Sequence, residues 1–334
     1  MSSAAVKVSV IVASCSTINC AFIPVAMDRE ATMDEALGIR AGPLPRGVHA
    51  LVEDEIAAGG GFVLAHLLAR ALGRRDEDPH DGGVEEGGGG HRRASPRVCL
   101  VCAEQDFAHH ARVMGKLGRN LRADVSSGAL AVVDALTTPF AWCANPDLAS
   151  GPSRAKMTGG VEAHTRRADA SGLDGARDLF RDIARALGGD HDDDDDDDED
   201  DDTAGAVVVV FDSLNALADG EPTAADADRA VPSLLASVSS LRRGSTAIVA
   251  LAHRDACPTD GRGWLDAARR RADVVVSCRA LTTGHAADVH GRVSAEHRTG
   301  RMATTATNGS AAPRRVDARF RLTELGPKVT RVHA

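Results

Sequence analysis

The stretch VCLVCAEQDFAHHARVMGKLGRNL, Val98 to Leu121, constrains the fold more than any other part of the chain. Val98 to Ala103 is an almost unbroken apolar run. From Phe107 the apolar residues return at Ala111, Met114 and Leu117 or Gly118, the spacing of one helical face. A strand that is apolar on both sides must be covered on both sides, and one that passes straight into an amphipathic helix belongs to a parallel arrangement. The expected class is therefore α/β, a sandwich around a mostly parallel sheet. The turn Glu104-Gln105-Asp106 falls at the carboxyl end of the strand, where open α/β sheets hold their chemistry.

The same reading extends along the chain. Val48–Val52 is a strand, 53–61 a turn and Phe62–Leu72 a helix. Leu130–Leu136 is the third strand, after that at Val98. Thr137–Gly172 has no period and reads as a long loop, and Asp174–Leu187 is an amphipathic helix. Ala206–Phe211 is a wholly apolar strand; Ala224–Arg243 is a helix that Pro232 is expected to kink or break. Thr246–His253 and Asp273–Cys278 are strands on either side of a helix at Gly263–Ala272. Beyond Leu281 the period changes to two: Asp288–Glu296, Ala318–Glu324 and Lys328–His333 alternate like antiparallel hairpin strands. We expect one domain over 44–334, with disordered insertions at 74–96, which contains GGVEEGGGG, and at 190–203. Residues 1–40 are expected to be a poorly defined extension. Its apolar part is too interrupted by Ser14, Ser16, Thr17, Asn19 and Pro24 to span a membrane.

The formal net charge of −9 is set by one acidic run, Asp190 and then Asp192 to Asp202 with Glu199 among them, and the rest of the chain is mildly basic. The run reads as a solvated spacer, and the basic remainder is compatible with an RNA-facing surface. The seven cysteines are odd in number and scattered, which fits a reducing compartment. Cys99 and Cys102 form a lone CxxC, but three residues apart on a strand they point to opposite faces, which argues against a metal or redox pair. His109, His110 and His290 lack paired ligand spacing for zinc. Ser213 and His253 lack the GxSxG elbow of a hydrolase.

Strand, glycine turn and helix is the layout of a phosphate-binding loop, in which backbone amides and a Lys hold the phosphates. Here the turn reads EDEIAAGGG, ending in Gly59, Gly60 and Gly61, and Gly61 and Phe62 stand where the Lys and hydroxyl residue would be. Glu53, Asp54 and Glu55 add negative charge that repels a triphosphate. The strand ending in Asp212 has the form of a Walker B strand, whose Asp holds Mg²⁺. A first strand with a Gly turn, then strands ending in Glu104, Asp212 and His253, is the order of a RecA-type ATPase. In that order Glu104 would activate water, Asp212 would handle metal and His253 would sense the γ-phosphate. Each is equally readable as a polar residue where a strand meets solvent. An active ATPase of the RecA or KaiC class, with Glu104 as base and Asp212 on metal, is therefore one alternative. Candidate phosphate contacts for RNA are Arg242-Arg243, Arg269-Arg270-Arg271 and Arg314-Arg315.

Within this frame the stretch from Val98 resembles a segment of the Elongator complex protein 6 family. The matching positions are Gln105, Phe107, His109 and Lys116-Leu117-Gly118. The resemblance continues through Asp212-Ser213-Leu214, the strand ending at His253, Leu281-Thr282-Thr283-Gly284 and Asp288-Val289-His290-Gly291, spanning roughly 44–325 in the family's order. It implies a RecA-like fold without a working Walker A, and hence a non-enzymatic pseudo-ATPase. It also implies a hetero-hexameric ring with two copies each of this chain and Elongator subunits four and five. That ring docks on the catalytic Elongator subcomplex, binds tRNA in a manner coupled to ATP, and supports modification of the wobble uridine. No resident cofactor is implied beyond ATP at ring boundaries. The implied location is cytoplasmic and also nuclear. The further alternative is a protein-only scaffold whose Arg clusters serve protein contacts.

Overall fold

The computed structural model describes residues 30–40, 42–73, 97–136, 164–165, 173–188, 207–241, 245–257, 263–284, 286–299, 301–303, 314–324 and 326–332. The glycine-rich stretch, the acidic run and most of 137–172 lie outside them, as do Arg242 and Arg243. The strands are β1 Glu30–Ala31, β2 His49–Asp54, β3 Arg97–Cys102, β4 Leu130–Asp134, β5 His164–Thr165, β6 Val207–Phe211, β7 Ala247–His253, β8 Val274–Arg279, β9 Gly291–His297, β10 Arg314–Thr323 and β11 Gly326–Arg331. The helices are α1 Met33–Leu37, α2 Gly61–Ala71, α3 Phe107–Lys116, α4 Leu121–Ser126, α5 Leu173–Ala186, α6 Leu214–Asp219, α7 Ala224–Ser240 and α8 Gly263–Arg271.

These strands join one sheet in the order β1-β11-β10-β9-β8-β2-β7-β6-β3-β4-β5. From β8 to β5 the neighbours are parallel, whereas β8 to β9, β9 to β10, β10 to β11 and β11 to β1 are antiparallel. This is the α/β class expected from the sequence, with a parallel core and antiparallel C-terminal strands. The alternation of side chains across the sheet builds two cores. Val98, Leu100, Val208, Val210, Val249 and Leu251 face one cluster with α1, α2, α3 and α4. Cys99, Val101, Val209, Phe211, Ile248 and Ala250 face the other, with α5, α6, α7 and α8. Every residue of β6 is buried, so each Val side chain contributes about 1.5–3 kcal/mol relative to an exposed one. Cys99 and Cys102 do lie in different clusters, on opposite faces. Burial pushes the Cys99 thiol up to about 12 and raises the Cys102 thiol as well.

The structure corrects several boundaries. Residues 30–40 are part of the fold: β1 pairs with β11, and Ala36 and Leu37 are fully buried. A capping box starts α1, with the Thr32 hydroxyl accepting from the Glu35 amide and the Glu35 carboxylate accepting from the Thr32 amide. Strand β2 continues through Glu53 and Asp54, which were expected in the turn; both are buried, Asp54 hydrogen-bonded to His253 and Glu53 ion-paired with Arg269. Helix α7 runs unbroken through Pro232: the ring removes one backbone donor, while Val231, Leu234, Leu235 and Val238 hold the helix on the second core. Two short helices were not foreseen, α4 capped by Asn120 and α6 capped by Ser213. Among the described residues no helix is long and apolar enough to cross a membrane.

Candidate functional site

Strands β2, β7, β6 and β3 are adjacent and parallel, so their carboxyl ends form one edge. Along it stand Asp54, His253, Asp212 and Glu104 in that spatial order. The three strand-end residues singled out in the sequence are thus brought together, and Asp54 joins them.

His253 is the hub. Its Nδ1 lies 2.6 Å from Asp54 Oδ1 and its Nε2 2.7 Å from Glu104 Oε2. With both ring nitrogens donating to carboxylates, the imidazole is held as the cation. The hydrogen bond to Asp54 leads in raising its pKa to about 9, against an opposing cost of burial. The backbone of His253 is fixed by Asn215 at the start of α6. Asn215 Nδ2 donates to the His253 carbonyl at 3.0 Å, and its Oδ1 accepts from the His253 amide at 2.7 Å.

Asp54 is 2% exposed, and its second oxygen accepts from the Gly60 amide at 2.5 Å. Gly60 is the N-cap of α2, so the anion received at this helix start is the protein's own carboxylate. A side chain at Gly60 is blocked: a Cβ there would lie 2.9 Å from Val52 Cγ1 and 3.1 Å from Asp54 Cβ. Gly59 and Gly61 have room around them by comparison, and Gly61 opens α2 on the exposed side. The turn is closed by the Ala58 amide on the Glu55 carbonyl at 2.7 Å and by the Ile56 amide on the Asp255 carboxylate at 2.9 Å.

Asp212 is also buried and fully engaged. It accepts from the backbone amides of Ala103 at 2.7 Å, Glu104 at 3.2 Å and Gln105 at 2.8 Å, and lies 3.2 Å from His110 Nε2. A Walker B carboxylate faces a metal across the edge, whereas this one fastens the β3–α3 turn to β6. Among the described residues no group of three or more His, Cys, Asp or Glu is arranged to hold a metal ion.

The remaining motif residues hold the fold around this edge. Gln105 contributes the amide just described, Phe107 packs on the first cluster, and His109 stacks edge-on against His110 at 5.6 Å. Lys116-Leu117-Gly118 ends α3, with Gly118 at φ 81° in the left-handed region that favours glycine. Thr283 and Gly284 form a turn at φ 88°, closed by the Gly284 amide on the Leu281 carbonyl. His290 bridges to β10: its amide donates to the Phe320 carbonyl and its Nδ1 accepts from the Leu322 amide. Gly291 admits no side chain, because a Cβ would lie 2.7 Å from both the Arg279 carbonyl and the Phe320 ring. Asp288 lies beside β10 and β11.

Of the arginines on α8, Arg269 is turned inward, its Nε 3.1 Å from a carboxylate oxygen of Glu53, which is 1% exposed. Burial pushes the Glu53 carboxyl up. Arg270 is exposed, and Arg271 donates to the Ser239 hydroxyl. Arg269 and Arg271 thus have intramolecular partners, and neither was read that way from the sequence.

A family model described as Elongation complex protein 6 matches residues 90–313. Comparison with curated proteins finds no significant match. Among solved structures, the chain is similar to a KaiC-like protein from Pyrococcus horikoshii OT3, at 13% identity and TM-score 0.48, covering 90% of this chain and 99% of that one. It is also similar to the flagellar accessory protein FlaH from Methanocaldococcus jannaschii, at 15% identity and TM-score 0.49, covering 91% and 96%.

Proposed function

The chain belongs to the Elongation complex protein 6 family, hence to the Elongator assembly as a non-catalytic accessory subunit, and on that premise we propose that it acts as a structural member of a RecA-like ring. In this reading it assembles with Elongator subunits four and five, two copies of each, on the catalytic subcomplex. The ring binds tRNA and supports wobble-uridine modification, in the cytoplasm and nucleus.

The observation that supports a ring member without its own nucleotide chemistry is the Asp54–His253–Glu104 bridge. The place a phosphate would take at the start of α2 is filled by Asp54, and the balancing cation is His253. Asp212, which a magnesium ion would need, is committed to three backbone amides. The turn has no Lys to replace. Any ATP in such a ring is then handled by other subunits or held at their boundaries.

Native mass spectrometry after co-expression with subunits four and five tests the assembly. A species with two copies of each subunit is expected, and a persistent monomer or self-ring would contradict the proposal. The active-ATPase alternative requires ATP turnover by this chain that Asp212→Ala abolishes.

A further inference from the structure

The parallel part of the sheet is covered on both faces, but among the described residues the C-terminal strands carry a packed layer on one. Cys278, Val293, Ala295, Ala318, Phe320 and Val329 turn toward the first cluster, against which α1 packs. The alternate residues of β8 to β11 face the other way and are polar. Register places Arg279 of β8 directly opposite Arg292 of β9, and Arg292 directly opposite Arg319 of β10. Two positions along, Arg321 stands opposite Lys328 of β11. Like charges directly opposite on neighbouring strands destabilise a sheet. A row of three arginines beside an Arg–Lys pair is therefore the reverse of what sheet stability alone would select.

Carboxylates also stand on this face, fewer in number than the cations. Asp317 is shared, 3.0 Å from Arg292 and 3.3 Å from Arg315, and Glu296 pairs with Arg298 at 3.1 Å. Between Arg319, Arg321, Lys328, Thr330 and Asp288 lies an open groove of about 310 Å³. Residues two apart on β10 are spaced about 6.8 Å, and adjacent strands about 4.8 Å. That is the scale of successive phosphates along a nucleic-acid strand. Protein–protein interfaces also enrich Arg but place it around an apolar centre, whereas nucleic-acid interfaces are polar and strongly positive throughout. Phe320 and Val289 also line the groove, but Phe320 is 2% exposed and packs in the first cluster, so what the outer rows themselves present is cations, which suit phosphates.

We infer that the outer face of β8–β11, carried by Arg279, Arg292, Arg319, Arg321 and Lys328, is a docking surface for the phosphate backbone of a nucleic acid. The inference rests on the tRNA-binding reading above and places it on strand residues other than the Arg clusters singled out in the sequence, with Arg315 of one cluster on the same strand as Arg319 and Arg321. Recognition there is sequence-independent and salt-dependent.

The test uses the co-expressed assembly and an unmodified tRNA transcript, comparing wild type with the combined variant Arg319→Gln, Arg321→Gln and Lys328→Gln. Binding is followed by fluorescence anisotropy from 50 to 300 mM salt. Each phosphate that is no longer neutralised lowers the slope of log K against log salt by about 0.7–0.9, so the variant's slope should fall by roughly 2–3 and its binding at the lowest salt weaken on the order of tenfold. The weakening should be equal for an RNA of unrelated sequence. The variant's melting midpoint, measured alongside, shows whether the substitutions leave the fold intact. An unchanged slope and affinity in a tRNA-binding wild-type assembly would overturn the location alone. No tRNA binding by the wild-type assembly would overturn both the location and the reading it rests on. A variant that loses partner assembly while its midpoint holds would show the face to be a protein interface, which also overturns the inference. The single variant Arg321→Gln, with an expected slope change of about 0.7–0.9, provides the answer if the combined variant fails to fold.

Discussion

Replacing His253 by Ala should change the pH dependence of stability as well as its size. The folded-state pKa of His253 is raised from 6.5 to about 9, its side chain is 19% exposed, and the hydrogen bond to Asp54 leads the shift. At about 1.4 kcal/mol per unit, this linkage is worth at most about 3.5 kcal/mol, less the screening of a partly exposed side chain. The sign follows from a raised pKa: the contribution is complete below about pH 6.5, where the unfolded chain is also protonated. It is lost between 6.5 and 9, where the unfolded chain releases its proton and the native one does not. Wild type should therefore lose stability toward pH 9 with a slope approaching about 1.4 kcal/mol per pH unit, and His253→Ala should lack that slope. Urea unfolding of the full chain at half-unit steps from pH 6 to 9, followed by the fluorescence of Trp264, which is 3% exposed, gives both curves. Cys99, Cys102 and Cys278, whose thiols burial raises, add a slope of the same sign above about pH 8.5. It is common to both proteins, so the difference between the curves isolates His253. Parallel curves over the whole range would refute the Asp54–His253–Glu104 bridge.

Asp212→Ala leaves the amides of Ala103, Glu104 and Gln105 without their acceptor and should cost about 3–5 kcal/mol, measured by urea midpoint; Asp212→Asn, which keeps one acceptor oxygen, should cost less. A carboxylate kept only for metal would show little change in either variant. Gly291→Ala should cost about 1–3 kcal/mol, because the new methyl meets the Arg279 carbonyl and the Phe320 ring at 2.7 Å, and a thermal midpoint unchanged from wild type would contradict that close approach.

Much of the sheet was legible because its signals are local. The uniform apolarity of β3, β6 and β7 follows from burial on both faces, and it located Glu104, Asp212 and His253 at strand ends. Asp54 was misjudged because a polar residue after Val52 looks like the end of a strand; its partner His253 is 199 residues away and no local pattern announces it. Asn215 was missed for the same reason, since its two bonds run to a backbone 38 residues on. Helix α1 was recoverable: Thr32 followed by Glu35 before Ala36-Leu37 is a capping-box signature that the polar interruptions upstream obscured. The arginine row could not be read from sequence at all. Alternation shows which residues share a face of one strand, but only register shows that Arg279, Arg292 and Arg319 stand side by side.

Occupation of the nucleotide edge by the chain's own charges is tested most directly by isothermal titration of Mg²⁺-ATP into the purified full chain at pH 7. No saturable binding is expected up to millimolar nucleotide, in wild type and in Glu104→Gln alike. Saturable binding by wild type that Asp212→Ala removes would contradict that occupation and restore the edge as a working nucleotide site.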